Sequence, residues 1–404
     1  MSEPLVIVGN GMAAARLVRE LAARALGRHA VAVIGDEPRL AYNRVLLSPL
    51  LAGEISADDI ELEPVRWWRD RGVTVRYGCG ASAIDCAAGT VKLADGGELR
   101  FAKLVIATGS RPARLPVPGM ELSGVLTFRD LDDVAAIARV ARKGARVVVI
   151  GGGLLGLEAA HGLGTAGADV TVVHLMDRLM ERQLDAPAAE MLKRAIEARG
   201  ITVLCDAATS AVTGRRRVEA IELADGRSIA ADAVVVAVGI TPNATLARQA
   251  GVMTGRGIVV DDHLETSAPG VFAIGECAEH RGRCYGLVEP AYEQANVLAR
   301  HLCGESARYA GSVLATNLKV GGIHVFSAGD FLGGPGTESI VLSDPGLGTY
   351  KKLVIAQDRL VGAVLCGDTA DGLWYLELIR SGADTERFRD DLMFGRALAL
   401  RRAA

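Results

Sequence analysis

Gly9-Asn10-Gly11-Met12-Ala13-Ala14, set directly after the apolar run Leu5-Val6-Ile7-Val8, is the stretch whose reading decides the fold. The pattern predicts a strand over 5–8, a tight glycine turn, and a helix whose Ala and Leu residues keep helical spacing to about Arg24. A glycine at the turn, a second where a diphosphate approaches the backbone, and a small residue where helix meets strand are what dinucleotide binding needs. The helix start adds unpaired N–H groups and the positive dipole end. A second strand over 30–34 ends in Asp36-Glu37, where a carboxylate can accept from ribose hydroxyls.

The same grammar recurs. Arg146-Val147-Val148-Val149-Ile150 reads as a buried strand, followed by Gly151-Gly152-Gly153-Leu154-Leu155-Gly156-Leu157-Glu158, an Ala-rich helix, and another strand over 169–173. Here the strand-end acid is missing, and His174 stands in its place. Arg178 and Arg182 follow, either of which could face a 2′-phosphate, so the choice between NADH and NADPH leans only slightly to NADH. Two cradles with different surroundings imply two dinucleotides.

Composition agrees with an α/β chain: half of the 404 residues are hydrophobic, glycine is abundant at 48, and aromatics are only 4%. Basic residues are scattered and the net charge is −3, so the basic stripe of a nucleic-acid binder is missing. No apolar run reaches the roughly 18 residues that would span a bilayer. The first strand begins so close to Met1 that no signal peptide is expected. The seven cysteines contain no C-x-x-C pair, and the seven histidines show no ligand spacing, so neither a disulfide framework nor a metal site is expected. The expectation is a reduced, cytoplasmic protein.

Further motifs carry a resemblance. Ala107-Thr108-Gly109-Ser110-Arg111-Pro112 follows an apolar strand over 103–106, and Ala237-Val238-Gly239-Ile240-Thr241-Pro242-Asn243 closes the second unit in a similar way. Thr266-Ser267-Ala268-Pro269-Gly270-Val271-Phe272-Ala273-Ile274-Gly275-Glu276-Cys277 comes next. In this order they resemble the flavoprotein reductases with two dinucleotide-binding domains, relatives of glutathione reductase and of the ferredoxin and rubredoxin reductases, over residues 1 to about 310. Ala41-Tyr42-Asn43-Arg44-Val45-Leu46-Leu47-Ser48-Pro49, the run from His174 to Asp185, and Phe326-Ser327-Ala328-Gly329-Asp330 narrow it further. They are similar to the flavin-containing part of NADH-dependent nitrite reductase large subunits and to assimilatory nitrate reductase electron-transfer subunits.

The resemblance implies FAD in the first cradle and NADH, or NADPH, in the second. It places Arg44 by the FAD diphosphate, Glu276 on the ribityl chain where most relatives have Asp, and Pro290 in the first turn of a helix whose start faces the flavin. Glu158 would lie near the nicotinamide, although Pro49 stands where many ferredoxin-reductase relatives have a lysine. Disulfide reductases of this kind carry cysteines in the region of 41–54. None occurs there, and Cys277 reads as a packed thiol, so electrons are expected to leave the flavin directly for an iron–sulfur or other iron-containing protein. Large nitrite reductase subunits continue into cysteine-rich and sirohaem modules, whereas this sequence closes at Ala404. The expectation is therefore an NADH-to-flavin portion whose metal centres sit on another polypeptide.

The expected organisation is a discontinuous FAD-binding domain (1–112 and 241–312), an NAD(P)H-binding domain (113–240) and a C-terminal α/β domain (313–404). The last should hold strands over 340–342 and 353–364 and a helix over 372–380; a homodimer is a candidate assembly. Trp67-Trp68 reads as packing, and Trp374-Tyr375 as packing or a cover for flavin or partner. Alternatives are a reductase for rubredoxin, ferredoxin or an oxygenase component, a flavin-binding interaction protein resembling apoptosis-inducing factor, and a peroxide-forming NADH oxidase.

Overall fold

The computed structural model describes residues 2–320 and 322–402. The chain divides into two compact units, one made of Met1–Leu47, Ser56–Pro112 and Ile240–Ser312, the other of Ser48–Ile55, Ala113–Gly239 and Val313–Ala404.

In the first unit the strand order is Val271–Ala273, Lys103–Ile106, Glu3–Val8, His29–Ile34, Thr74–Arg76, all parallel. A parallel sheet is covered on both faces, so its strands read as continuous apolar runs. Leu5, Ile7, Val33, Leu104 and Ile106 are accordingly sealed from solvent, packed with Leu17 and Leu21 of helix Met12–Arg24 and Leu298 of helix Val288–Leu302. The register aligns Val8 with Ile34 and Ile106, which brings the ends of three strands to one edge. The loops that follow all emerge there, at the carboxyl ends where ligands of such sheets bind.

The second unit repeats this pattern with Thr202–Leu204, Asp169–Val173, Arg146–Ile150, Ala233–Val236 and Val125–Thr127, again parallel. It also holds an antiparallel sheet in the order Ala315–Val320, Ile323–Gly329, Arg359–Cys366, Thr349–Ala356, Glu338–Asp344. Helix Gly372–Ser381 lies on that sheet, with Tyr375 fully buried and its hydroxyl donating to the Leu392 carbonyl at 2.8 Å. Trp374 is buried in the same core, and Trp68 in the core of the first unit, so these aromatics pack.

One expectation is corrected. Residues 353–364 are two antiparallel strands joined at Gln357 and Asp358, which have φ of 49° and 55°. Paired left-handed residues make the tight hairpin turn usually announced by Asn-Gly. Here the conformation is held from afar: Thr385 donates N–H and Oγ1 to the Asp358 carbonyl (both 2.7 Å), and Arg389 reaches its carboxylate at 3.0 Å. No local residue signalled it.

Among the described residues no helix is long and apolar enough to cross a membrane, and no His, Cys, Asp or Glu group has the makings of a metal site.

Candidate functional site

Each unit presents one glycine cradle. In the first, the Gly9 N–H donates to the Ile34 carbonyl at 2.8 Å, folding the loop across the sheet edge. Gly9 has φ +114°, and a Cβ there would stand 2.1 Å from the Ala107 carbonyl oxygen. Only glycine fits. At Gly11 a Cβ would meet nothing within 4 Å, so the space in front of the helix start is open.

Helix Met12–Arg24 starts with no side-chain cap and no acid in its first turn. Leu154–Thr165, after the second cradle, starts the same way. Helices Leu131–Val140 and Ala186–Glu197 are instead capped by Asp130 and Asp185. A helix start left with bare N–H groups, no competing carboxylate and open space in front is a fit for a diphosphate. Met12, Ala13 and Ala14 form the first turn of one such helix, and Leu154, Leu155 and Gly156 that of the other.

Around the first cradle, Asp36 and Glu37 follow strand His29–Ile34 as expected, but they are differently engaged. Asp36 is exposed and accepts from the Glu37 N–H at 3.1 Å. Glu37 accepts from Tyr42 Oη at 2.7 Å and is ion-paired with Arg44, whose guanidinium lies 4.8 Å from the Tyr42 ring centroid. Arg44 is thus joined to a strand-end acid, a pairing no spacing rule announces.

Ala107, Thr108 and Gly109 follow the neighbouring strand. Thr108 Oγ1 donates to the Asn243 carbonyl at 2.7 Å, and Asn243 Nδ2 donates back to the Thr108 carbonyl at 3.0 Å. Gly275, with φ +81°, donates its N–H to Gln294 Oε1 at 2.7 Å. Glu276 accepts from Ser110 Oγ at 2.8 Å. Pro290 is buried in the first turn of Val288–Leu302, whose N-cap is Leu287, without a side-chain cap. Cys277 is fully buried, and burial raises its thiol pKa.

In the second cradle Gly151 has φ +121° and its Cβ would lie 2.3 Å from the Ala237 carbonyl oxygen; a Cβ at Gly156 would lie 1.9 Å from the Gly151 carbonyl oxygen. Gly153, the N-cap, faces open space, and Gly239 closes the loop opposite with φ +109°. His174 is buried, its Nδ1 receiving the Gly152 N–H at 3.0 Å.

Glu158, in the first turns of Leu154–Thr165, accepts from Ser48 Oγ at 2.6 Å. Leu51 packs so closely on this helix that a Cβ at Gly162 would come within 2.9 Å of its Cγ. Burial pushes the Glu158 carboxyl above the usual carboxylate range, and the Ser48 hydroxyl pulls it part of the way back. Sequence reasoning named Glu158 and missed this partner, along with Asn243, Gln294, Ser110 and Glu181. Ser48, Asn243, Gln294 and Ser110 lie far in the chain from the groups they hold, and Glu181 stands seven residues beyond His174, where strand-end spacing does not point.

Residues 3–296 match the family described as pyridine nucleotide-disulphide oxidoreductase, and residues 315–383 match the rubredoxin NAD+ reductase C-terminal domain. The chain is 44% identical over 382 residues to a nitrite reductase [NAD(P)H] of Bacillus subtilis, covering 94% of this chain and 47% of that protein. It is 42% identical over 370 residues to the assimilatory nitrate reductase electron transfer subunit of the same organism, covering 91% and 48%. The chain thus spans about half the length of these two relatives. A chain in the crystal structure of the covalent putidaredoxin reductase–putidaredoxin complex superposes with a TM-score of 0.89 at 26% identity, covering 99% of this chain and 97% of that one.

Proposed function

We propose that this chain, which belongs to the pyridine nucleotide-disulphide oxidoreductase family, takes electrons from NADH onto FAD and delivers them to an iron-containing protein, in nitrate or nitrite assimilation. The observation that carries the reading is the pair of uncapped glycine cradles in one chain, with no cysteine in the segment 41–54.

In this reading 1–112 and 241–312 form the FAD-binding domain, 113–240 the NAD(P)H-binding domain and 313–404 a C-terminal domain. Gly9, Gly11 and the N–H groups of Met12, Ala13 and Ala14 hold the FAD diphosphate, with Asp36, Glu37 and Arg44 beside it. Ala107, Thr108, Gly109, Gly275, Glu276 and the helix start at Pro290 line the rest of that cofactor's site. Gly151, Gly153, Leu154, Leu155, Gly156, His174 and Gly239 hold the nicotinamide dinucleotide. When bound, FAD supplies the change from two-electron to one-electron transfer. Glu158 orients the nicotinamide end, its carboxyl fixed by Ser48. Arg44, already paired with Glu37, contributes charge without being free to swing away.

The relatives support the destination of the electrons. Two of them are named for nitrite and nitrate reduction, and one of these is an electron transfer subunit. A second reading, a reductase for rubredoxin, ferredoxin or an oxygenase component, is favoured by the match of residues 315–383 to the rubredoxin reductase C-terminal domain. The test presents the flavin-loaded protein and NADH with separate acceptors: a nitrate or nitrite reductase catalytic polypeptide, a rubredoxin and a ferredoxin. Fastest reduction of the first supports assimilation, and fastest reduction of either of the others supports the second reading. Oxygen consumption that outruns every acceptor overturns both.

A further inference from the structure

The residues after strand Asp169–Val173 close around Gly152 of the second cradle. The Gly152 N–H donates to His174 Nδ1 at 3.0 Å, and the Gly152 carbonyl accepts from the Met180 N–H at 3.0 Å. With Nδ1 accepting, the proton of the neutral ring lies on Nε2, which meets Glu181 Oε2 at 3.1 Å. Leu179 completes the clamp, since a Cβ at Gly152 would lie 2.6 Å from its Cδ2.

Met180, fully buried, has φ +51°. The left-handed conformation costs a non-glycine residue about 1–2 kcal/mol, and nothing in Met180 itself favours it. The conformation aims the Met180 N–H at Gly152 and turns the next residue, Glu181, toward His174. The strand-end position that carries a ribose-binding acid in dinucleotide folds is filled by an imidazole committed to Gly152. A carboxylate nevertheless stands at that edge, seven residues later in the chain.

We propose that Glu181 is the acid that binds the adenosine ribose in this cradle, and that it selects NADH over NADPH. The proposal rests on the assignment of the nicotinamide dinucleotide to the second cradle. One Glu181 oxygen is held by His174, which acts as a positioning residue. The other lies 3.6 Å from Arg182, a side chain that is 85% exposed and therefore weakly attractive through solvent. Arg178 is turned to Asp177 at 3.0 Å and to the Leu184 carbonyl at 3.4 Å. A ribose 2′-hydroxyl can donate to the carboxylate, whereas a 2′-phosphate brings like charge to it.

The test is calorimetric binding of NAD+ and NADP+ to the flavin-loaded protein, which needs no turnover. Glu181→Gln keeps an oxygen for His174 and removes the charge; Glu181→Asp shortens the reach; Arg182→Ala removes the competing cation. Unmutated protein should favour NAD+, and Glu181→Gln should lower the ratio of NAD+ to NADP+ affinity by about tenfold or more, the scale of a hydrogen bond to a charged group. Arg182→Ala should leave NAD+ binding intact. An unchanged ratio in Glu181→Gln, with NAD+ still bound, overturns this proposal alone. So does an NADP+ preference that Arg182→Ala abolishes, which makes Arg182 the selector. Absence of binding by either dinucleotide overturns the assignment of the cradle, and this proposal with it.

Discussion

Ser48 and Glu158 share a 2.6 Å hydrogen bond across 110 residues of sequence. The bond ties the segment before Leu51 to the helix that begins at the second glycine cradle, and it bears directly on the electrostatics of the half-buried Glu158 carboxyl. Glu158 carries no arginine or lysine partner in this pairing; a hydroxyl donates to it instead. Burial raises its pKa and the hydroxyl opposes the rise. Removing the hydroxyl in Ser48→Ala should therefore move the pH dependence of flavin reduction to higher pH, and cost about 1 kcal/mol of stability. Glu158→Gln should slow reduction by roughly tenfold through lost orientation and flatten that pH dependence. Rapid-mixing rates across pH check both.

The same group sets the sign of a stability effect. Its pKa is raised above 4.5 in the folded chain, so its contribution is complete below 4.5 and is lost as pH rises through the folded value. Glu158→Gln should be less sensitive to pH across that window, which denaturant melts at stepped pH would reveal.

Gly9 and Gly11 should fail differently. Gly9→Ala forces a Cβ into the Ala107 carbonyl at φ +114°, for a loss of roughly 3 kcal/mol or more. Gly11→Ala meets nothing within 4 Å and should leave the melting temperature of the flavin-free chain within a degree or two. It should still lower flavin retention, because under the proposed assignment the methyl enters the open space that the diphosphate would fill. Flavin absorbance per protein, beside thermal melts, separates the two.

Tyr350 donates to Asp185 Oδ2 at 2.6 Å, and Asp185 also caps helix Ala186–Glu197. Tyr350→Phe should cost about 1 kcal/mol. Asp185→Ala should cost more, since the cap adds about 1 kcal/mol of its own. Equal losses from the two in chemical denaturation would show that the cap contributes nothing.

Cys277 should stay unmodified by thiol reagents in the native protein, being fully buried with a raised pKa. Blocking the accessible thiols should leave flavin reduction unchanged. Loss of reduction on blocking would point to a thiol relay.

Local pattern made much of this fold legible. Strand Arg146–Ile150 and strand Asp169–Val173 fall where an apolar run between helical segments puts them, and helix Gly372–Ser381 ends one residue beyond the expected 380. The hairpin at Gln357 and Asp358 is illegible locally because no glycine or asparagine marks it and Gln357 has no leaning to the left-handed conformation, while Thr385 and Arg389 hold the turn from a distant segment. The candidate site divides in the same way. Glycine positions follow from backbone sterics and can be read locally. The pairs Ser48–Glu158, Ser110–Glu276 and Thr108–Asn243 are made by tertiary folding, and each member alone is an ordinary polar residue. His174 read alone is a strand end without its acid; the carboxylate of Glu181 comes beside it only through the fold.

The most direct test of the central claim is anaerobic rapid mixing of the flavin-loaded protein with NADH and, separately, NADPH, following bleaching of the flavin band. NADH should bleach the band promptly and NADPH more slowly, and the band should recover when an oxidised iron-containing acceptor is added. A flavin that stays oxidised with both nucleotides would contradict that claim.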